Sequence, residues 1–371
     1  MSHRQPFVDL AAQHAELWPE ISRELEAIFA TGRFIGGERV ERFEAEFARF
    51  CGRAHAIGLS SGTDALRLAL IATGVGPGDE VITVPTSFVA TAEAIGQCGA
   101  RPVFVDVRPD TLTMDPLGLD AVLTPKTRAV MPVHLYGRMT DMPAIAAWCA
   151  RTGVTLIEDA AQSHGARLAG RTPGGFGVAA TFSFYPAKNL GAAGDAGALV
   201  TDDDEVARRV RLYSDHGQSE RYVHQVEGST SRLDAVQAAV LSIKLRRLAR
   251  WNDRRRDLVG LYRERLAKVS AVELLAEPES PEAHVHHLFV VRVRERDALR
   301  AALSELGIET GLHYPLPIHL QPCYGRLGYG PGSFPVAEAA AREILSLPLY
   351  PQMGEAAVRR IADAIAAFFD R

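Results

Sequence analysis

Short apolar runs alternate with helical periodicity along most of this chain, and that alternation restricts its fold more than any other feature. Residues 80–84, 101–107, 129–135, 154–157, 179–185 and 197–201 read as strands, with helices at 87–97 and 142–150 between them. Strands that alternate with helices indicate an α/β domain with a mainly parallel sheet. In such a sheet, ligands gather at the carboxyl ends of the strands.

Ahead of that series, Val40, Phe43, Phe47 and Phe50 fall at the spacing of an amphipathic helix over 38–50, preceded by the loop signal F-I-G-G at 34–37. The apolar run 54–59 leads into S-S-G-T-D-A-L at 60–66, and a helix then runs to Ile71 and stops at Gly74. After the series, Leu233, Val236, Val240 and Ile243 mark a long helix that starts near Arg232 and continues in pieces to Leu266. A strand at 285–293 and helices at 296–306, 336–344 and 355–369 form a smaller α+β domain. The expected division is a large domain with an N-terminal arm over 1–245 and a small domain over 246–371.

At 371 residues, 47% hydrophobic and 23% charged, the chain can bury a large core and is neither disordered nor fibrous. A net charge of −4 gives no reason to expect a nucleic-acid partner. The arginines at 246, 247, 250 and 254–256 read as a solvated helix face. The four cysteines form no C-x-x-C pair, so neither a metal site nor a disulfide framework is expected, in keeping with a reducing cytoplasm. The N-terminus has no apolar signal core and no run spans a bilayer, so no membrane partner is expected.

Three stretches could carry chemistry. The first is Ser60–Asp64, where a strand gives way to a helix. Gly62 permits close backbone approach, and the free amides of a helix start suit a phosphate; a plain N-cap would look the same. The second is L-I-E-D-A-A-Q-S-H-G at 156–165, where Glu158 and Asp159 follow an apolar strand, so that one of them lies at the sheet's carboxyl edge. Such a carboxylate can hold a cation or cap the next helix. The third, 172–194, has Lys188 as its only charge, between an apolar run and a glycine-rich turn. Those surroundings disfavour an ammonium and make the amine nucleophilic, although a lysine snorkelling to solvent would fit the position too.

Together a phosphate cradle, a strand-end acid and an isolated lysine match the needs of pyridoxal 5′-phosphate: an anion site, a carboxylate beside the ring nitrogen and an amine for the Schiff base. Phe88 is placed either to stack on the ring or to fill the core. Gly175-x-Gly177-x-x-Ala180 has the glycines of a dinucleotide fingerprint but precedes a strand instead of opening a helix, which excludes that reading.

The motifs S-S-G-T-D-A-L, E-D-A-A-Q-S-H-G, F-S-F-Y-P-A-K-N-L-G-A-A-G-D-A-G-A, S-R-L-D-A-V-Q-A-A and H-Y-P-L-P-I-H resemble the DegT/DnrJ/StrS family of pyridoxal-phosphate-dependent sugar aminotransferases from residue 34 to about 351. The resemblance implies an aspartate aminotransferase-like, fold type I α/β architecture with a seven-stranded sheet. It implies that Lys188 forms the Schiff base, Asp159 pairs with the pyridine nitrogen and Gln162 bonds the ring's phenolic oxygen. By the same resemblance Gly62, Thr63 and Ser183 bind the phosphate, and Phe88 stacks on the ring. Family members are homodimers with active sites at the subunit interface, where an asparagine in G-x-N-S-R-L-D reaches the partner's phosphate; here Thr230 stands at that place.

Tyr222, His224, Arg232, His313, Tyr314 and His319 are candidates for sugar or diphosphate contacts, with structural loop roles as the alternative for the histidines. Related dehydratases carry histidine in place of the lysine, so Lys188 favours transamination from L-glutamate to a nucleotide-linked keto-sugar. F-Y-P-x-K-N-L-G-A together with R-Y-V-H at 221–224 resembles enzymes acting at C-3 of dTDP-3-keto-6-deoxyhexoses. The competing expectations are a catalytically silent regulatory partner that binds the cofactor, and a dehydratase or epimerase.

Overall fold

The computed structural model describes residues 4–370. Seven strands, β1 (His55–Leu59), β2 (Glu80–Thr83), β3 (Arg101–Phe104), β4 (Thr127–Val130), β5 (Thr155–Asp159), β6 (Ala179–Ser183) and β7 (Gly197–Thr201), form one sheet in the order β1-β7-β6-β5-β4-β2-β3. β3, β2, β4, β5 and β6 run parallel, while β7 is antiparallel to both β6 and β1. The mainly parallel sheet expected of a fold type I enzyme is therefore present, with one reversed strand.

These strands are apolar throughout because both faces are covered. Neighbouring residues serve opposite cores: Ile82, Val130 and Leu156 pack with Trp148 on one face, whereas Val81, Met131 and Ile157 pack with Leu66 and Leu199 on the other. A third cluster centres on Phe47, fully buried with its ring 5.1 Å from Phe182 and 5.2 Å from Phe184. That cluster fastens the amphipathic helix Glu38–Cys51 beneath β6.

Two long helices carried no sequence expectation. Leu10–Thr31 is capped by Asp9, whose side chain accepts from the Ala12 amide at 2.9 Å, and contains Pro19, a residue that ordinarily ends a helix. Asp204–Ser214 is capped by Asp203 and buries only Val206, Ala207, Val210 and Ser214.

The helix expected in pieces is a single element, Ala235–Leu266, of 32 residues. The division expected between 245 and 246 falls inside it. Its first half packs Ala238, Leu241 and Leu248 against the phenylalanine cluster, and its second half packs Leu258, Tyr262 and Leu266 against the small domain. Nor is its arginine run simply a solvated face. Arg246 and Arg247 clasp Glu20 of the first helix at 2.9 and 2.7 Å, and Arg255 is buried, donating to the Leu349 carbonyl at 3.0 Å.

The small domain is a three-stranded antiparallel sheet (Glu273–Leu274, Phe289–Arg292, Ile344–Leu347) with helices Arg296–Glu305, Pro335–Glu343 and Glu355–Phe369. The N-terminal segment docks here and not on the large domain alone: the Gln5 amide donates to the Gly307 carbonyl at 2.8 Å, and the Phe7 amide to Glu309 at 3.1 Å. Among the described residues, no helix is long and apolar enough to cross a membrane.

Because Phe47 is fully buried against the rings of Phe43, Phe50, Phe182 and Phe184, Phe47→Ala should cost about 3–5 kcal/mol of folding free energy. Equilibrium denaturant unfolding checks this; a loss below about 1 kcal/mol would show that the cluster does not anchor the sheet.

Candidate active site

β5 and β6 are parallel and β1 runs in the same sense two strands further on, so three carboxyl ends meet at one edge of the sheet. Asp159 is the last residue of β5 and Ser183 the last of β6, and the helix Gly62–Ala72 opens just after β1. Around this edge lies a cavity of about 460 Å³, of a size that suits a cofactor with a small substrate.

The cradle is set by close backbone approach. A Cβ on Gly62 would lie 2.6 Å from Ser183 Cβ, and one on Gly197 would lie 2.3 Å from the Ser61 carbonyl carbon, so no larger residue fits at either place. Ser61 caps the helix by accepting from the Asp64 amide at 3.1 Å. The amides of Gly62 and Thr63 have no acceptor among the described residues and border the cavity, at the positive end of an 11-residue helix. This is the donor set a phosphate requires.

Strand alternation decides between the two acids. Glu158 faces the opposite side, where it accepts from the amides of Gly174 (2.9 Å), Phe176 (3.2 Å) and Gly177 (3.0 Å) and from His134 Nε2 at 3.0 Å. The glycine-rich loop at 174–177 is thus a carboxylate clamp, with Gly177 pressed so close to the Leu156 carbonyl that a Cβ would lie 2.4 Å away. Asp159 borders the cavity, accepting from Thr91 Oγ1 at 2.8 Å and the Ala161 amide at 3.2 Å. Burial pushes its pKa up, against those hydrogen bonds and the attraction of Lys188. A cation against its carboxylate would offset that desolvation, as a protonated ring nitrogen does.

Lys188 stands in a tight turn beyond β6, where its amide donates to the Tyr185 carbonyl at 2.8 Å. Its half-buried side chain reaches the cavity, and among the described residues no side-chain hydrogen bond or ion pair holds its amine. Burial draws its pKa from 10.5 down to about 8, with Asp159 opposing. Gln162 spans from the Tyr136 amide, which donates to its Oε1 at 2.6 Å, to the Tyr314 hydroxyl, 3.3 Å from its Nε2. Phe88 lies at the rim, 54% exposed, ahead of the helix Ala90–Gln97 rather than inside it. Its ring is 5.7 Å from that of Tyr314.

The substrate-contact candidates separate. His313 and Tyr314 border the cavity, and burial draws the His313 imidazole down to about 4, so it is neutral. His319 does not border it: the side chain is buried beside Glu338, 3.2 Å away, which makes it a structural partner of the helix Pro335–Glu343. Tyr222 and His224 lie on an exposed hairpin (Gln218–Glu220, Val223–His224), Thr230 Oγ1 is 2.8 Å from His216 Nε2, and Arg232 pairs with Asp215 at 2.8 Å. None of these four lines the cavity.

Thr91, His287 and Phe7 line it without any prior expectation. The repeat H-V-H-H at 284–287 was the visible trace of His287, whose Nδ1 donates to Asn189 Oδ1 at 3.2 Å.

Comparison with known proteins agrees with this geometry. The chain is 46% identical over 366 residues to a "Pleiotropic regulatory protein" of Geobacillus stearothermophilus, covering 98% of each. It is 44% identical over 369 residues to a "dTDP-3-amino-3,4,6-trideoxy-alpha-D-glucose transaminase" of Streptomyces venezuelae, covering 99% of this chain and 97% of that one. Among solved structures, S. venezuelae DesV in complex with a ketimine intermediate superposes with a TM-score of 0.97 at 44% identity, covering 99% of both chains. Residues 16–366 match the DegT/DnrJ/EryC1/StrS aminotransferase family, and the chain belongs to that family of pyridoxal-phosphate-dependent aminotransferases that act on nucleotide-linked sugars.

Proposed function

We propose that this enzyme transfers the amino group of L-glutamate to C-3 of a dTDP-linked 3-keto-6-deoxyhexose, with pyridoxal 5′-phosphate held in the cavity at the sheet edge. The observation that carries the cofactor assignment is one cavity bordered by a helix-start cradle, a buried acid and a lysine with depressed pKa. The regiochemistry rests on the S. venezuelae relative, whose name places the amine at C-3. When bound, the cofactor supplies an electron-accepting ring that eases loss of the proton beside the amine.

The residues divide that work. The amides of Gly62 and Thr63 and the hydroxyl of Ser183 hold the phosphate, and Asp159 keeps the ring nitrogen charged. Lys188 is the amine that would hold the bound cofactor, and once freed it would be placed to take up and return a proton as base and acid. Gln162 holds the ring's oxygen and Phe88 covers one face. His313 and Tyr314, already at the wall, meet the sugar.

Tyr222, His224, Thr230 and Arg232 fit this reading through a second copy of the chain. They lie on or beside an exposed hairpin, where Tyr222 is 77% exposed and Val223 51%, so that a second copy could reach them. A homodimer with its sites at the interface would bring them to the neighbouring cavity. Four free cysteines accord with a cytoplasmic enzyme.

A purely regulatory role is the second reading, raised by the name of the Geobacillus relative. Glutamate decides between them. Added to the loaded enzyme it should change the cofactor's absorbance and release 2-oxoglutarate, and a keto-sugar nucleotide should then restore the first spectrum. An unchanged spectrum across a panel of amino donors overturns the proposal.

The depressed pKa of Lys188 gives an independent check. The neutral amine is the nucleophile, so capture of added pyridoxal phosphate by the apoenzyme should quicken as pH rises through about 8, well short of an ordinary lysine. Borohydride reduction and peptide mapping at each pH should place the label on Lys188. A midpoint near 10.5, or a label elsewhere, refutes the assignment.

A further inference from the structure

Lys244 is fully buried in the middle of the long helix, and no carboxylate lies within ion-pair distance of it among the described residues. Its ammonium donates to the Gly191 carbonyl at 2.8 Å and to His14 Nε2 at 2.9 Å. A buried charge without a counter-ion is costly and is ordinarily replaced by an apolar side chain. Both of its acceptors are neutral dipoles, and one of them belongs to the turn that carries Lys188.

That turn is gripped at three points by the same helix. Gln237 Oε1 accepts from the Ala193 amide at 2.8 Å, Lys244 donates to Gly191, and Asn252 Oδ1 accepts from Asn189 Nδ2 at 2.9 Å. The helix positions are spaced by seven and eight residues, about two turns each. The positions on the lysine turn run in the reverse order, two residues apart. The result is a polar ladder along one side of the helix that ends at Asn189, the residue next to Lys188. Gly191 is pressed against the Pro186 carbonyl, where a Cβ would lie 2.2 Å away, so the turn is closed on itself and its Gly191 carbonyl faces the helix.

We propose that Lys244 is a positioning residue: the charged rung of a Gln237–Lys244–Asn252 ladder that fixes the Lys188 turn and so aims the Lys188 amine into the cavity. Through His14 the same ammonium joins the helix Leu10–Thr31 to that turn. An apolar side chain would pack there at least as well, but it would leave the Gly191 carbonyl buried without a donor and the turn held from its two ends only. A small error in the aim of a reacting amine is expensive, because reactivity falls steeply with misplacement.

The proposal rests on Lys188 being the residue that captures the cofactor, and the test keeps the two apart. In Lys244→Met the side chain keeps its length and loses its donors. The apoenzyme of this variant should capture pyridoxal phosphate about 10-fold or more slowly than wild type. Its affinity for pyridoxine 5′-phosphate, which has the phosphate and ring but no aldehyde, should be unchanged.

If that variant does not fold, Gln237→Ala removes one half-buried rung and should show the same divergence to a smaller degree. Unchanged capture in the folded variant overturns the ladder. An equal loss of pyridoxine phosphate binding also overturns it, because the damage would then be to the pocket at large. Failure of the cofactor assignment itself would appear differently, as wild-type enzyme in which borohydride leaves Lys188 unlabelled.

Discussion

Two carboxylates at the end of β5 must both be taken out of water, and much of the site is arranged to make that possible. Successive residues of a strand face opposite ways, so Glu158 and Asp159 cannot share a solution. Glu158 is met by three amides of a glycine loop and by His134, a fixed set of donors that leaves it no further chemistry. Asp159 is met by one hydroxyl and one amide, fewer than a buried carboxylate calls for, and it faces the cavity. That incomplete partner set marks it as the candidate for the acid that meets a cation, since the interaction its carboxylate lacks is a cationic one.

The helix Ala235–Leu266 is the second organising element. Its two halves pack in different cores within one unbroken helix, so its placement relative to β6 and to the small domain is one geometric decision. Several of its buried polar side chains serve irregular segments around the cavity. Arg255 holds the carbonyls of His286, His287 and Leu349, and Asn252 reaches both Asn189 and the His164 carbonyl. A long helix of this kind turns irregular segments, which lack a ladder of their own, into fixed parts of the site.

The legibility of the site in the sequence followed the local character of each signal. Lys188, the acid pair Glu158–Asp159 and the helix start at 60–64 were readable as candidates because each depends on what stands directly beside it: an uncharged run, a strand end, a helix start. The choice of Asp159 from the pair came from the family resemblance. Phe88 was placed near the cavity, but the helix expected from residue 87 begins only at Ala90, so Phe88 lies in the loop ahead of it. His319 read as a contact because H-Y-P-L-P-I-H is a loop. It is buried against Glu338, and nothing in the seven residues shows that a helix 19 positions later supplies its partner. Pro19 concealed the first helix for the opposite reason, since a local helix-breaking signal is overridden there by the packing of Leu17 and Ile21 on the long helix.

The sequence by itself determined the α/β class, the strands along the chain, the sheet edge at which the candidate residues gather, and Lys188 as the candidate nucleophile. These follow from periodicity and from burial of apolar runs, which act over a few residues at a time. Only the tertiary structure decided which of two adjacent acids faces the cavity and that the long helix is unbroken. It alone decided that Tyr222, His224, Thr230 and Arg232 lie outside the cavity, and that a buried lysine far along the chain grips the Lys188 turn. Each of those depends on which distant segments come together, and for Lys244 the partners are residues 53 and 230 positions away.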